Sequence, residues 1–206
     1  MAVHCRFSDD RGAAGFSWIV VEPMSRACHA LASGGAVWLI DPLDWPDAIA
    51  RATELGRPAA VVQLLDRHGR DCAAIAERLG IPLYVVPDGL PGSPFEVVPV
   101  LRRKRWQERA LWWPAEETLV VAEAIGTGAF FPIGGDAAGT HPLLKPCPPR
   151  RQLGRFAPRH LLVGHGAGLH GDAAAIALGQ ALGRSRLSVL RFLVTLPGRA
   201  KRARAS

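Results

Sequence analysis

Residues 66–72, with the sequence Asp-Arg-His-Gly-Arg-Asp-Cys, bring together several chemically reactive side chains within one short segment. Carboxylate, imidazole and thiolate groups bind divalent metal ions, and guanidinium groups bind carboxylates and phosphates. Two more residues of these kinds follow apolar runs. Glu123 comes directly after residues 119–122, and His165 lies in a Gly-His-Gly sequence directly after residues 161–163. The chemistry indicated is metal binding, or a cluster of opposite charges built from the same groups.

The elements around residues 66–72 indicate how this segment is positioned. The apolar run at 59–65 predicts a buried strand, and residues 72–79, followed by Gly80, predict a helix. A second strand is predicted at 82–86, which completes a β-α-β unit of the kind that places parallel strands under helices. The segment therefore connects the end of a strand to the start of a helix.

The chain before this unit predicts more of the same mixed fold. A strand is expected at residues 15–23 and a hairpin at 27–41 with its turn at Ser-Gly-Gly. A helix should follow, since Pro46 suits the first turn of a helix and Gly56 suits the position after its end.

The middle of the chain predicts antiparallel pairing. Short strands are expected at residues 95–100, 109–113 and 118–122, and the last two are joined by Pro-Ala-Glu-Glu at 114–117. A proline-containing connection of this length between apolar strands is typical of a hairpin.

The C-terminal part predicts a long loop followed by another strand and helix. Proline and glycine are concentrated in residues 132–160, a short strand is expected at 159–163, and Asp172 is a suitable N-cap for a helix. The length of 206 residues predicts one domain, which we assign to residues 1–196. The basic tail at 197–206 has no apolar periodicity and is expected to be disordered.

The segment at 66–72 resembles the His-x-His-x-Asp-His loop of the metallo-β-lactamase superfamily. Asp71 stands at the position of the aspartate, whereas the two positions of the His-x-His pair fall on Arg67 and Gly69 and the final histidine position falls on Cys72. The apolar run that ends in Asp41-Pro is similar to another strand of this superfamily.

The same resemblance extends to the later motifs. Glu123 follows a strand similar to the one that delivers the metal-bridging aspartate, and His165 lies in a sequence similar to the strand-end motif that supplies the last histidine. The resemblance implies an αββα sandwich with two mixed sheets and helices outside, and a hydrolase of esters, thioesters, amides or phosphodiesters.

The resemblance also implies that the metal site is degenerate. The first metal site would lack its histidines, while the second would retain Asp71, Cys72, Glu123 and His165, a set that could hold one divalent ion such as zinc, iron or manganese. The alternative that we favour from the sequence needs no cofactor. In it, salt bridges from Arg67 or Arg70 to the carboxylates replace the cations, and the protein serves as a binding or structural protein.

Two residues of the segment have competing interpretations. His68 is one position away from the ligand register, which favours a surface or supporting position over ligation. Cys72 begins a helix, where a thiol can be reactive because its pKa is lowered, but a buried and inert thiol is the more common case.

Arginine accounts for most of the formal net charge of +7. The run Arg102, Arg103, Lys104 and Arg105 lies next to Trp106, Trp112 and Trp113, so an anionic ligand or a nucleic acid is a possible partner. The alternative interpretation is an ordinary solvated basic face beside tryptophans that pack in the core.

The composition and the N-terminal residues predict the cellular compartment of the protein. The four cysteines show no paired spacing, the N-terminal residues lack an apolar signal core, and no apolar stretch approaches the roughly 20 residues that span a bilayer. We therefore expect a cytoplasmic protein without membrane association. The abundance of alanine and arginine favours a bacterial source.

Overall fold

The apolar runs form two facing sheets in a computed structural model that describes residues 4–185. The first sheet has six strands, which follow one another across the sheet in chain order: β1 (Cys5–Ser8), β2 (Gly15–Val20), β3 (Ala27–Ser33), β4 (Ala36–Ile40), β5 (Arg57–Gln63) and β6 (Leu83–Val85). Strands β1 to β4 pair antiparallel, whereas β4, β5 and β6 pair parallel. The sheet is therefore mixed, as predicted.

The second sheet has five strands. In chain order they are β7 (Glu96–Arg103), β8 (Trp106–Trp113), β9 (Thr118–Val121), β12 (His160–Val163) and β13 (Leu169–His170). Their order across the sheet is β13-β12-β9-β8-β7, and only β9 and β12 pair parallel. Since neighbouring parallel strands end at the same edge of a sheet, the loops after β9 and β12 lie side by side.

Strand β4 shows how the sequence builds a layered core. Successive side chains of a strand point to opposite faces. Trp38 and Ile40 pack in the core between the two sheets, whereas Val37 and Leu39 pack on the opposite face, in the core beneath the helices. Because both faces are buried, the strand is apolar throughout, as is typical of strands covered on both sides.

Helices cover the outer faces of both sheets. Helices α1 (Pro46–Leu55) and α2 (Cys72–Leu79) contact the first sheet, while α3 (Arg150–Leu153) and α4 (Asp172–Arg184) contact the second. The predicted αββα sandwich is thus confirmed. Among residues 4–185, no helix combines the length and the apolar character needed to cross a bilayer.

The long loop predicted at 132–160 contains more regular structure than expected. Strand β11 (Gly139–Thr140) pairs with β10 (Ile125–Gly126), and α3 lies within the same region. Strand β1 was not predicted, because its four residues are too short and too polar to give a clear alternation. The predicted disordered tail at 197–206 lies outside the described residues.

Candidate metal centre

The loops at one edge of the sandwich bring His68, Glu123 and His165 together. One potential ligand atom from each residue lies within 4.8 Å of the other two. His68 comes from the loop between β5 and α2, Glu123 from the loop after β9, and His165 from the loop after β12. The cluster is therefore built by both sheets, and the parallel pair β9 and β12 delivers two of its members.

The hydrogen bonds of His165 leave one of its ring nitrogens free for a ligand. Its Nδ1 lies 3.0 Å from the carbonyl oxygen of Met24, and a carbonyl only accepts, so Nδ1 carries the proton and donates. The other nitrogen, Nε2, is buried and has no hydrogen-bond partner within the described part of the chain. Burial also lowers the pKa of His165 to about 4, so the ring is neutral at pH 7.

Asp41 orients His68 in a similar way. The Asp41 carboxylate lies at the end of β4, is buried, and accepts a hydrogen bond from His68 Nδ1 over 3.0 Å. Its other oxygen accepts from the backbone N–H of Leu64 over 2.8 Å, which fixes the carboxylate in place. With Nδ1 engaged, Nε2 is the nitrogen that His68 can offer to a metal ion. A carboxylate that holds a ligand histidine by its second nitrogen is a common arrangement around protein-bound metals.

Glu123 is held between Arg67 and His141. Its Oε2 accepts a hydrogen bond from Arg67 Nη2 over 2.8 Å, and its Oε1 lies 3.8 Å from His141 Nε2. Burial opposes ionisation of this carboxyl, but the Arg67 hydrogen bond and the neighbouring histidine and guanidinium charges outweigh burial and lower its pKa. Glu123 is therefore ionised at neutral pH.

His141 is a partner of Glu123 rather than a further ligand. Its Nδ1 accepts a hydrogen bond from the backbone N–H of Leu143 over 3.2 Å. A neutral imidazole that accepts at Nδ1 carries its proton on Nε2, which then points toward Glu123 and cannot bind a metal.

Glu108 supports the loop that carries Glu123. This fully buried carboxylate accepts hydrogen bonds from the backbone N–H groups of Glu123 and Ala124, over 2.9 and 2.8 Å, and from the indole N–H of Trp106 over 3.0 Å. Its pKa is raised to about 7, chiefly because burial disfavours the charged form. The role of Glu108 was not predicted, since a lone glutamate in a strand pattern gives no sequence signal.

Arg70 joins the two sheets beside the site. Its guanidinium donates to the carbonyl oxygens of Ala27 and Asp41, over 2.6 and 2.7 Å, and to that of Gly164 over 3.2 Å. These are carbonyls of the first sheet and of the loop that holds His165. Arg70 therefore does not compensate Asp71 or Glu123 by a salt bridge, which is one of the pairings that the sequence suggested. It acts on the backbone that positions the site.

The structure does not bring Asp71 and Cys72 into this cluster. Asp71 is the N-cap residue of α2, and its Oδ2 accepts a hydrogen bond from the backbone N–H of Asp44 over 2.8 Å. Cys72 is fully buried in the core beneath the helices, and burial raises the pKa of its thiol to about 12. Of the proposed ligands Asp71, Cys72, Glu123 and His165, only the last two lie in the cluster.

His68 takes the place that the sequence gave to those two residues. Its side chain is 9% exposed, so it is not a surface histidine. The alignment with the superfamily motif put Asp71 and Cys72 of this loop at ligand positions. In the structure, the residue of this loop whose side chain lies in the cluster is His68. The loop has no periodicity, and Arg70 adopts a φ of 40°, so the direction of each side chain depends on local backbone geometry that a motif does not encode.

The basic run at Arg102, Arg103, Lys104 and Arg105 covers the exposed end of β7 and the turn to β8. Trp106 and Trp113 are buried and Trp112 is half-buried, which matches the core-packing interpretation. The ring of Trp106 faces Arg67, whose guanidinium carbon lies 4.3 Å from the ring centroid. Trp106 and Trp113 are therefore not exposed stacking surfaces, while an anionic or nucleic-acid partner for the basic run stays a prediction.

The residues of the cluster fit a single divalent ion. Two imidazoles and one carboxylate form the ligand set of several catalytic zinc sites, which keep a further position open. Ligands about 2.1 Å from one ion lie roughly 3 to 4 Å from each other. The candidate ligand atoms of the three residues lie within 4.8 Å of one another. The buried, unpartnered Nε2 of His165 is the observation that favours occupancy most, because such an atom otherwise loses a hydrogen bond on folding.

Comparison with known proteins identifies the fold. The chain is similar to DIM-1 metallo-β-lactamase, with a TM-score of 0.59 and 13% identity over 89% of this chain and 100% of that one. It is similar to a metallo-β-lactamase from Erythrobacter litoralis, with a TM-score of 0.57 and 12% identity over 89% and 95% of the two chains. It is also similar to the chemotaxis sensor ODP in a peroxy diiron form, with a TM-score of 0.60 and 14% identity over 91% and 100%.

Comparison of sequences alone gives no further assignment. No protein-family profile matches the chain, and no curated protein matches it. Structural likeness at these identities establishes the fold and leaves the chemistry to be argued from the site itself.

Proposed function

Since this chain has the metallo-β-lactamase fold, we propose that it is a metalloprotein with one divalent ion at His68, Glu123 and His165, and that it hydrolyses esters, thioesters or phosphodiesters. The observation that carries this proposal is the buried Nε2 of His165, which has no hydrogen-bond partner among the described residues and belongs to the same cluster as His68 and Glu123. A divalent ion with an open coordination position supplies Lewis acidity and a nucleophile at neutral pH.

The residues of the chain prepare this site before any ligand arrives. Met24 and Asp41 fix the tautomers of His165 and His68, so that both rings can offer Nε2. Arg67 and His141 orient the Glu123 carboxylate, and its lowered pKa keeps it charged as a ligand must be. Preorganisation of this kind reduces the cost of assembling a metal site.

The second candidate is the metal-free binding protein favoured by the sequence. One observation supports it, because the 2.8 Å bond from Arg67 to Glu123 is the contact expected of a guanidinium that replaces a cation. However, Arg67 makes no hydrogen bond to His165 within residues 4–185, and Asp71 is engaged elsewhere. Charge replacement accounts for Glu123 and leaves Nε2 of His165 unexplained, so we prefer the metal site.

Metal analysis separates the two candidates. The full chain is purified without chelator, reconstituted with zinc, iron or manganese, desalted and analysed by elemental mass spectrometry. We expect about one ion per chain in the wild type, and loss of that ion in His68→Ala and His165→Ala variants whose circular dichroism shows that they are folded. Asp71→Asn and Cys72→Ala are matched controls that should retain it.

Activity is then measured against occupancy. Hydrolysis of p-nitrophenyl esters and of bis(p-nitrophenyl) phosphate should rise in proportion to bound metal. A wild-type protein that stays metal-free after reconstitution contradicts the proposal and favours charge replacement. If the metal-loaded protein hydrolyses none of these compounds, the metal site stands and the proposed hydrolase activity is contradicted.

A further inference from the structure

His160 and His170 form a pair of histidines away from the cluster described above. Strands β12 and β13 pair antiparallel and place His160 directly opposite His170. Side chains that are opposite each other on antiparallel strands lie on the same face of the sheet. The two Nδ1 atoms accordingly lie 2.8 Å apart. His160 is the first residue of β12, whereas His165 follows the last one, so the pair and the cluster lie toward opposite ends of this strand.

The Asp9 carboxylate orients the ring of His170. The side chain of Asp9 is 4% exposed, and both of its oxygens accept from the backbone N–H of Gly168 over 3.0 Å. His170 Nε2 lies 3.2 Å from Asp9 Oδ1, and an ionised carboxylate only accepts, so Nε2 carries the proton. In the neutral ring, Nδ1 of His170 then has the lone pair, and it faces His160. A buried carboxylate that fixes the tautomer of a histidine is the common outer partner of a metal ligand.

His160 can offer a second lone pair at the same point. Burial, with the charge of Arg11 as the next cause, lowers the pKa of His160 to about 4, so its ring is neutral at pH 7. In the neutral pair, Nδ1 of His160 donates to Nδ1 of His170. If the proton of His160 is carried on Nε2 instead, both Nδ1 atoms have lone pairs that face each other. Two nitrogens bound to one ion lie roughly 3 to 3.5 Å apart, so the rings need to separate by only about 0.5 Å.

The pair lines an open cleft through which ions can reach it. The cleft has a volume of about 420 Å³ and is lined by Asp10, Arg11, Glu116, His160 and His170. The guanidinium of Arg11 is paired with Glu116 over 3.0 Å, and the carboxylate of Asp9 lies behind His170. The neighbouring Arg159 is exposed, so solvent and salt screen its charge. The charges around the two rings are therefore compatible with a bound cation.

From this arrangement we propose a second metal site, in which Nδ1 of His160 and Nδ1 of His170 bind one divalent ion of the zinc, nickel or copper class. Imidazole nitrogens suit these ions, whereas magnesium and calcium prefer oxygen ligands. Water completes the coordination, and the proton on Nδ1 of His160 moves to Nε2 of the same ring. The site does not depend on the proposed function. Since it supplies two ligands and the cluster supplies three, its ion should be lost in a desalting step that leaves the ion of the cluster in place.

The tautomer of His160 gives a direct test of this site. Correlation spectra of the imidazole nitrogens are recorded on nitrogen-15-labelled wild-type protein at neutral pH, before and after addition of zinc chloride. We expect His160 to change from the Nδ1–H to the Nε2–H tautomer, with the Nδ1 resonances of both rings shifted by the ion. Magnesium chloride should cause neither change. A His160 ring that keeps its proton on Nδ1 in excess zinc would overturn the proposal.

The affinity for zinc tests the two ligands separately. Titration calorimetry with zinc chloride is carried out in a His165→Ala background, which removes a ligand of the cluster. Loss of an outer partner of a metal ligand costs about 10- to 100-fold in affinity, so His160→Gln and His170→Gln should each weaken zinc binding at least as much. His4→Gln is the matched control, because His4 is an exposed histidine just before β1 and should leave the affinity unchanged.

The outcomes separate this site from the cluster. Glutamine retains a hydrogen-bonding side chain, and circular dichroism with the thermal unfolding midpoint shows whether each variant is folded. Equal zinc affinity in all three folded glutamine variants would mean that the ion binds elsewhere, and the site would be rejected. If the cluster binds no metal, the change of tautomer at His160 and the losses in the two variants are still expected, so the two proposals fail independently.

Discussion

The carbonyl oxygen of Met24 and Nδ1 of His165 form a 3.0 Å hydrogen bond between the two sheets. Met24 lies in the turn between β2 and β3 of the first sheet, whereas His165 follows β12 of the second. An isolated bridge between Arg26 and His165 strengthens the same junction. The first sheet therefore sets the tautomer of a residue that the second sheet delivers, and metal binding depends on the packing of both.

The tautomer of His68 can be reversed by one substitution. In Asp41→Asn, the amide oxygen can still accept from the backbone N–H of Leu64, while the amide N–H₂ faces His68 Nδ1 and donates to it. His68 must then carry its proton on Nε2, the nitrogen needed for the ion. We expect metal affinity to fall about 10- to 100-fold, measured by competition with a chromophoric chelator.

The fold should tolerate this change. Asp41 has a φ of 45°, and asparagine is among the residues that adopt such a conformation most readily. The thermal unfolding midpoint of the apo protein is the control for a general loss of structure. Unchanged affinity in folded Asp41→Asn would show that His68 does not bind the ion through Nε2.

The sequence predicted the elements that depend on local pattern. Helix α2 begins and ends at the predicted residues, because Gly80 adopts the left-handed conformation that ends a helix. The hairpin of β8 and β9 and the parallel pairing of β5 and β6 were also predicted correctly. In each case the apolar run, the turn residues and the length of the connection favour the same structure.

The site was less predictable than the fold because its contacts join distant loops. Glu123 and His165 were identified as site residues from strand ends, and the structure places them together. From the sequence, His68 was assigned a surface or supporting position. A shift of one residue in the alignment with the motif changes which side chain of the loop is expected in the cluster. Glu108 acts through hydrogen bonds to the backbone of the loop that carries Glu123, and His141 lies 3.8 Å from the Glu123 carboxylate. Such contacts over long sequence separations leave no pattern in a single sequence.

Replacement of Glu108 should change how stability depends on pH. Its pKa in the folded protein is about 7, above its ordinary value of 4.5, so the folded state holds a proton that the unfolded state has lost. The stabilising effect of this proton is present below pH 4.5 and is lost as the pH rises toward 7. In Glu108→Gln this dependence disappears, so the variant should be destabilised by more at pH 5 than at pH 8, with a difference of up to about 3 kcal/mol.

Urea unfolding at the two pH values measures the effect of Glu108→Gln. Glu96→Gln is a suitable control, because Glu96 is exposed on the adjacent strand β7 and should show no such difference. If the free energy of unfolding changed by the same amount between pH 5 and pH 8 in the wild type and in Glu108→Gln, Glu108 would not titrate in this range.

Asp9 should stabilise the fold above acidic pH. Burial opposes its ionisation, but hydrogen bonds from His170 and from the backbone N–H of Gly168 outweigh burial and lower its pKa to about 2, below the ordinary 3.8. Its contribution is therefore complete above pH 4 and is lost as the pH falls toward 2. We expect Asp9→Asn to lower the free energy of unfolding by about 2 kcal/mol at pH 7. Near pH 2 the variant and the wild type should be equally stable, as measured by urea unfolding.

The neighbouring Asp10 provides the comparison. Its side chain is 64% exposed and pairs with Arg51 at the surface. Surface ion pairs contribute little, so Asp10→Asn should change the free energy of unfolding at pH 7 much less than Asp9→Asn does. A similar cost for both variants would argue against a special role for the buried carboxylate.

The cysteines allow the sequence-based ligand set to be tested without any metal assay. Cys147 is exposed, whereas Cys5, Cys28 and Cys72 are buried, and burial raises the pKa of the Cys28 and Cys72 thiols to about 11 and 12. Because the thiolate is the reactive form, a disulfide reagent at pH 8 should modify one thiol rapidly in the native protein and all four in denaturant. Cys147→Ser should abolish the rapid phase.

Metal loading should leave these rates unchanged, because Cys72 lies in the core under α2 and not in the cluster. A rapidly reacting Cys72 that metal protects would instead return it to the ligand set.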